Sequence, residues 1–163
     1  MLNDIELQKK VEILTNKLKL GLFKEVVDES KILLKKRKHQ VLFNLLSLSY
    51  QSLGQNDKSV EIMEIALKAN PKNPHFLNNI GLSHFKLSNF KEAETYFKRG
   101  LAEAPKYISI LNNLGNLKGY LNLNKSAIEY FNKILKINDK LIEPYFNLAI
   151  NYQALGEFEK SSE

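Results

Sequence analysis

Apolar residues recur along this chain on two periods at once. The short period is helical. Leu77, Ile80, Gly81 and His84 follow the i, i+3, i+4, i+7 rhythm of one helix face, Leu87 closes that face, and Ser88-Asn89 interrupts it. A second stripe with the same rhythm runs through Ala93, Tyr96, Phe97, Gly100 and Leu101. It stops at Pro105, because proline cannot continue a helix and disfavours helical backbone at the residue before it. The long period is 34 residues: Leu53, Leu87, Leu121 and Leu155 keep it, as do Leu46, Ile80, Leu114 and Leu148, then Met63, Phe97 and Phe131, and Pro71 with Pro105. Helix, short turn, helix, short turn is the predicted unit, and short connections force neighbouring helices antiparallel. Self-similarity at this period predicts stacked hairpins rather than one globular core, since each unit buries its apolar side on the next.

Read from Pro74, the unit places Leu77, Ile80-Gly81 and His84 on its first helix, then Ala93, Phe97 and Gly100 on its second, then Pro105. The preceding unit supplies Phe43, Leu46-Ser47, Tyr50, Ser59, Met63, Ala66 and Pro71. The following unit gives Leu111, Leu114-Gly115, Lys118, Ala127, Phe131, Ile134 and Asp139, and a further one opens with Tyr145, Leu148-Ala149 and Tyr152. These residues resemble the tetratricopeptide repeat family, whose pattern is a bulky residue, Leu-Gly, an aromatic, Ala, an aromatic and Pro at these spacings. The resemblance implies an all-α fold, a right-handed α-solenoid of about four and a half antiparallel helical hairpins. It divides residues 1–163 into repeats at approximately 7–39 (degenerate), 40–73, 74–107, 108–141 and 142–163, the last cut short.

The small residues have a packing reason: Gly, Ala or Ser lets two backbones approach where the helices of a unit cross, and the bulky places fill the space around the crossing. The repeat at 108–141 departs most, with Lys118 in an aromatic place, Ile134 in a small one, Asp139 in the proline place, and Gly115 and Gly119 within one turn. Each glycine costs about 1 kcal/mol of helix propensity relative to alanine, so this repeat is expected to be the softest. Glu157-Phe158-Glu159-Lys160-Ser161 reads as the start of another second helix. Terminal repeats need a polar cap, so the pattern implies either a piece of a longer protein or another subunit covering the last apolar face.

Composition narrows the chemistry. The formal net charge is +6, from 24 Lys and Arg against 18 Asp and Glu, and there is no cysteine. Disulfides, thiol catalysis and zinc-thiolate sites are therefore excluded, and a reducing, cytoplasmic setting fits. No apolar run approaches the roughly 18 residues that cross a membrane. Part of the charge sits in Lys35-Lys36-Arg37-Lys38. Such a run attracts nucleic acid, anionic lipid or an acidic protein, but lysines also complement the dipole at a helix end, and the run reads as a solvated helix end. Aromatics do not interleave with basic residues as a single-strand platform requires. His39, His75 and His84 lack the spacing of a metal-binding helix, and His84 falls in a core aromatic place. No phosphate-binding glycine loop and no nucleophile–base constellation occurs, so neither an enzyme nor a cofactor is expected.

The resemblance also assigns the groove. In the family the first helix of each repeat lines a concave face, which here brings in Asn44 with Gln51, then His75, Asn78, Asn79 and Phe85, then Asn112, Asn113, Asn116, Gly119 and Tyr120, then Phe146 and Asn147. This face is uncharged for most of its length and rich in asparagine. Asn79, Asn113 and Asn147 stand one repeat apart and form a ladder, as in the repeat domain of the O-linked N-acetylglucosamine transferase family. Amides stacked at a regular interval can pair with the main chain of an extended peptide; equally, Asn-Asn is a repeat consensus tolerated on a wet surface. Gly119 either leaves room for a ligand side chain or reflects drift of the repeat sequence, two readings of equal weight. The clamp that other family members use for acidic chaperone C-termini needs cations where this chain has Ser109 and Asn113, or Glu143 and Asn147. The expected function is a protein-interaction module that binds an extended or helical segment of another protein. The alternatives are the substrate-docking array of a larger transferase (a glycosyltransferase or sulfotransferase) and a scaffold that self-associates through its uncapped last repeat. A nucleic-acid partner ranks last, and no membrane role is expected.

Overall fold

The structure is a computed structural model and describes residues 3–156. These form α1 (Asp4–Lys19), α2 (Phe23–Lys36), α3 (Gln40–Ser52), α4 (Asn56–Ala69), α5 (Pro74–Lys86), α6 (Phe90–Glu103), α7 (Ile108–Tyr120), α8 (Asn124–Ile137) and α9 (Glu143–Ala154), with no strand among the described residues. The architecture is an all-α solenoid. The apparent second helix at Glu157–Ser161, and with it the question of how the last repeat is covered, lies outside the described residues.

The chain reverses by the same device after α1, α3, α5 and α7, and α9 ends on the same backbone conformation. Gly21, Gly54, Ser88, Asn122 and Gly156 all adopt left-handed backbone, with φ of 76°, 73°, 61°, 57° and 75°. The amide one residue further on then donates back across the turn, as in Leu22 to the Lys17 carbonyl (3.0 Å), Gln55 to Tyr50 (2.8 Å), Asn89 to His84 (2.9 Å) and Leu123 to Lys118 (2.9 Å). This satisfies a helix-end carbonyl and aims the next helix back along the first. Starts are capped more variably. Asn3 and Glu6 form a reciprocal capping box on α1, and Asn73 accepts the amides of His75 and Phe76 ahead of Pro74 in α5.

Within a hairpin, the crossing is set by glycine under an aromatic ring. A Cβ on Gly81 would lie 2.6 Å from Phe97, and one on Gly115 would lie 2.7 Å from Phe131. Both rings are fully buried. The hairpin of α3 and α4 solves the same crossing with Ser47 and Ser59, whose hydroxyls are 2.7 Å apart, and with Met63 in place of the ring.

Between hairpins, the odd helices touch one another in sequence, α1 to α3, α3 to α5, α5 to α7 and α7 to α9, whereas the backbones of the even helices stand apart. A stack that is closed on one side and splayed on the other curves toward the closed side. The odd helices therefore line the inner face and the even helices the outer one.

Two expectations about repeat places change in detail. Lys118, in an aromatic place, extends to Glu94 on α6 at 2.8 Å with its side chain only 13% exposed, so its aliphatic stem fills the position while its charge is paired. His84 is half-buried rather than enclosed in the core. It stacks on Tyr96 at 5.5 Å and 11°, in hydrogen-bond range of Asn89. The acid end of the Lys118 pair is crowded with donors: bonds from Lys118 and then Lys98 hold the Glu94 carboxyl below the usual glutamate range.

Candidate functional site

All the residues assigned to the groove from sequence fall on odd helices, but the structure gives them different roles. Asn78 and Asn79 are buried; Asn44, Phe85, Asn112, Asn113 and Asn147 are half-buried; His75, Asn116, Tyr120 and Phe146 are exposed. The gradient follows from helix geometry, because consecutive places on one helix turn away from the neighbouring helix by about 100°.

The asparagines bond to one another across the repeats. The Asn79 amide donates to Asn44 Oδ1 at 3.2 Å, and one repeat further on Asn113 donates to Asn78 Oδ1 at 2.9 Å. Each rung uses one N–H of the donor and one lone pair of the acceptor, and the Asn79 amide also reaches the buried Met63 sulfur at 4.0 Å, so its donors are taken up within the stack. The third rung does not repeat. The Asn112 amide turns to Glu143 Oε1 at 3.1 Å, and its Oδ1 is buried without a partner among the described residues. Asn147 joins this part of the face through its carbonyl, which accepts from the Asn151 side chain at 2.7 Å.

Apolar groups flank the amides. Phe85, Phe90 and Tyr120 form a three-ring cluster, with centroids 5.9 Å apart for Phe85–Phe90, 5.6 Å for Phe85–Tyr120 and 5.1 Å for Phe90–Tyr120. Tyr120 is 63% exposed, so the cluster offers a ring edge at the end of the face where α5 and α7 finish. Phe90 was not anticipated, because it opens a second helix and the repeat pattern assigns such residues to the outside. On α9, Phe146 and Ile150 are 67% and 62% exposed, one turn apart. At the opposite end, His75 Nδ1 and the Tyr107 hydroxyl are 2.5 Å apart beside a shallow apolar pocket formed with Pro74 and Pro105, and burial raises the Tyr107 pKa above its ordinary value.

Two residues placed in the groove from sequence belong elsewhere. Gln51 is buried, and its amide donates to Ser83 Oγ (2.9 Å), the Asn79 carbonyl (3.1 Å) and Ser59 Oγ (3.3 Å), which ties α3, α4 and α5 together. Gly119 does not leave room for a ligand. A Cβ there would meet Asn151 Oδ1 at 3.2 Å, so the space is taken by the next repeat. Among the described residues no group of acids and histidines is arranged to hold a metal, and no helix is long and apolar enough to cross a membrane.

This arrangement of hairpins matches tetratricopeptide repeat family models over residues 44–108 and 108–141. The chain belongs to the tetratricopeptide repeat family. Among curated proteins it is similar to the photosystem I assembly protein Ycf3 of Prochlorococcus marinus, at 43% identity over 47 residues, a match spanning 29% of this chain and 27% of that protein. Solved structures share the fold at low identity. A thermophilic repeat protein of Thermus thermophilus superposes with a TM-score of 0.82 at 15% identity, covering 94% of this chain and 85% of that one. MamA of Desulfovibrio magneticus superposes at 0.79 and 16%, covering 99% and 92%. The first repeat domain of Spaghetti (RPAP3), bound to the HSP90 peptide SRMEEVD, superposes at 0.65 and 20%, covering 80% and 98%.

Proposed function

We propose that this chain is a protein-interaction module whose inner face receives an extended or helical segment of another protein. The observation that carries the reading is the row of asparagine amides along α3, α5, α7 and α9, flanked by exposed Tyr120, Phe146 and Ile150. Amides with unused donors and acceptors grip a main chain without demanding a particular side chain, and exposed aromatic and aliphatic anchors supply most of the binding energy in such interfaces. That a protein of the same fold holds a peptide, as the Spaghetti domain does, supports the reading in kind. It does not extend to that peptide's acidic chemistry, because Ser109 and Asn113 stand where a carboxylate clamp would need cations.

The test is selection of a phage-displayed library of unstructured peptides on the immobilised chain, followed by titration of the enriched sequences against a Phe146→Ala/Asn147→Ala variant and an Asn116→Arg variant. Affinity falling at least about tenfold in both is the expected result. Peptides that bind both variants as they bind the parent, or that shift only amides of the even helices, would overturn the reading.

A further inference from the structure

The outer face carries a second feature that inner-face binding leaves unexplained. Because the backbones of α2 and α4 stand apart, a cleft of about 300 Å³ opens between them over α3. Its floor is Phe43 and Leu46, and its walls are Leu34 on one side and Ile62 with Ile65 on the other. Ile65 is 48% exposed, so the apolar wall reaches the surface. Lys31 and Lys35 stand one turn apart on the α2 rim, and Lys38 continues that rim from the extended segment after the helix. The basic run at the end of α2 thus divides. Arg37 turns to Asp4 on α1, whereas Lys35 and Lys38 edge the cleft. None of the three rim lysines is in an ion pair among the described residues. Lys31 lies over the Tyr50 ring at 5.5 Å, and Asp28, one turn earlier, is the acid that acts on it.

The next cleft along shows that this is not a by-product of the repeat. Counting on 33 residues, Lys31, Leu34, Lys35 and Lys38 become Glu64, Leu67, Lys68 and Pro71, which line the corresponding cleft between α4 and α6. Across it, where the offset from α4 to α6 is 34 residues, the residue equivalent to Ile65 is Arg99. There the charges are mixed and the far wall is polar. In the first cleft the rim is wholly cationic and the far wall wholly aliphatic.

We propose that this outer cleft is a second docking site, for an acidic segment of a partner protein that inserts one or two aliphatic side chains between flanking carboxylates. A concave apolar floor receives side chains, whereas a membrane-binding surface projects them. Phe43 is only 7% exposed, so it offers no ring face on which a nucleic-acid base could stack. Three cations on one rim steer a carboxylate-rich segment and fix its orientation, with the apolar floor supplying the grip.

The experiment titrates the full chain, labelled with nitrogen-15, with a synthetic peptide in which a leucine pair is flanked on each side by glutamates. Matched peptides replace the leucines by alanine or the glutamates by glutamine. The expected result is amide shifts at Leu34, Ile62 and Ile65, lost with either control peptide, with affinity reduced at least about tenfold in a Lys35→Glu/Lys38→Glu variant and unchanged in Phe146→Ala. The last comparison separates this site from the inner face, so either proposal fails without the other. No shift at saturating peptide overturns the assignment, and so does binding indifferent to the leucines. Stronger perturbation of the same amides by phosphatidylserine vesicles or by a DNA oligonucleotide overturns it in favour of those ligands.

Discussion

Replacing Gly81 by alanine tests the reasoning behind the fold at its narrowest point. An alanine Cβ would lie 2.6 Å from both Cδ1 and Cε1 of Phe97 and 3.1 Å from Cγ. The ring has nowhere to move, being fully buried and packed with Ala93, Ile110 and Leu114. Overpacking of this kind costs about 1–3 kcal/mol, and exchanging a helical glycine for alanine returns about 1 kcal/mol, which leaves a net loss of up to about 2 kcal/mol. The α3–α4 hairpin indicates the cure, since it pairs the larger Ser47 with the pliable Met63. Phe97→Met alone should destabilise by leaving a gap; combined with Gly81→Ala it should cost about 1 kcal/mol less than the sum of the single changes. Urea unfolding followed by circular dichroism gives the cycle, with hydrogen exchange at α5 and α6 amides to localise it, because repeat arrays do not always unfold as one unit. A Gly81→Ala protein more stable than the parent, or a strictly additive cycle, would refute the crossing argument.

Ser88 holds left-handed backbone at φ 61° where three equivalent turns use glycine, so Ser88→Gly should raise stability by about 0.5–1 kcal/mol in urea unfolding. Asn122→Gly should gain less, since asparagine tolerates that region. The Glu94–Lys118 pair predicts a pH signature. Glu94 is held below the ordinary value of 4.5, so its contribution is fully present above that value and is lost as pH falls through the lower folded one. The stability gap between the parent and Lys118→Met, measured by urea midpoint, should therefore be widest near neutrality and close progressively in acid. A gap independent of pH would show that Lys118 acts only by packing its stem.

Helices, hairpins and crossing residues were legible in the sequence because each is a periodic demand: apolar positions at i, i+3, i+4 and i+7, and a small residue under each ring. What the period does not encode is how side chains at equivalent places meet across a junction. Register places Asn79 and Asn113 on the inner side, but not that their amides reach back to Asn44 and Asn78. Nor does it show that Gln51 turns inward to Ser83, or that Phe90 crosses to Tyr120. The Lys35–Lys38 run was read as a helix end because a linear sequence cannot show that α4 presents an aliphatic wall opposite it.

Those junction contacts form a series. Where the end of one inner helix meets the next, Gln51 meets Ser83, Phe85 packs on the cluster around Leu117, and Gly119 leaves Asn151 to fill the space. The first two junctions are closed both by a filler and by an asparagine rung. At the third, Asn151 is itself the filler and Asn112 bonds to Glu143 in place of the rung, while the Oδ1 atoms of Asn112 and Asn151 are buried without partners among the described residues. Buried acceptors left unpaired cost about 1–3 kcal/mol each, so α9 should be held to α7 less firmly than α5 is to α3. Hydrogen exchange should show α9 opening more readily than α5. Simple fraying near the chain end predicts the same, and a transplant separates the two. Gly119→Gln with Asn151→Ser rebuilds the first junction at the third, with the new amide placed to meet the Asn147 carbonyl, as the Gln51 amide meets that of Asn79. Slower exchange throughout α9 is expected. Unchanged exchange in a folded double variant would mean that the end, not the junction, governs how α9 opens, and with it the position of Phe146 and Ile150.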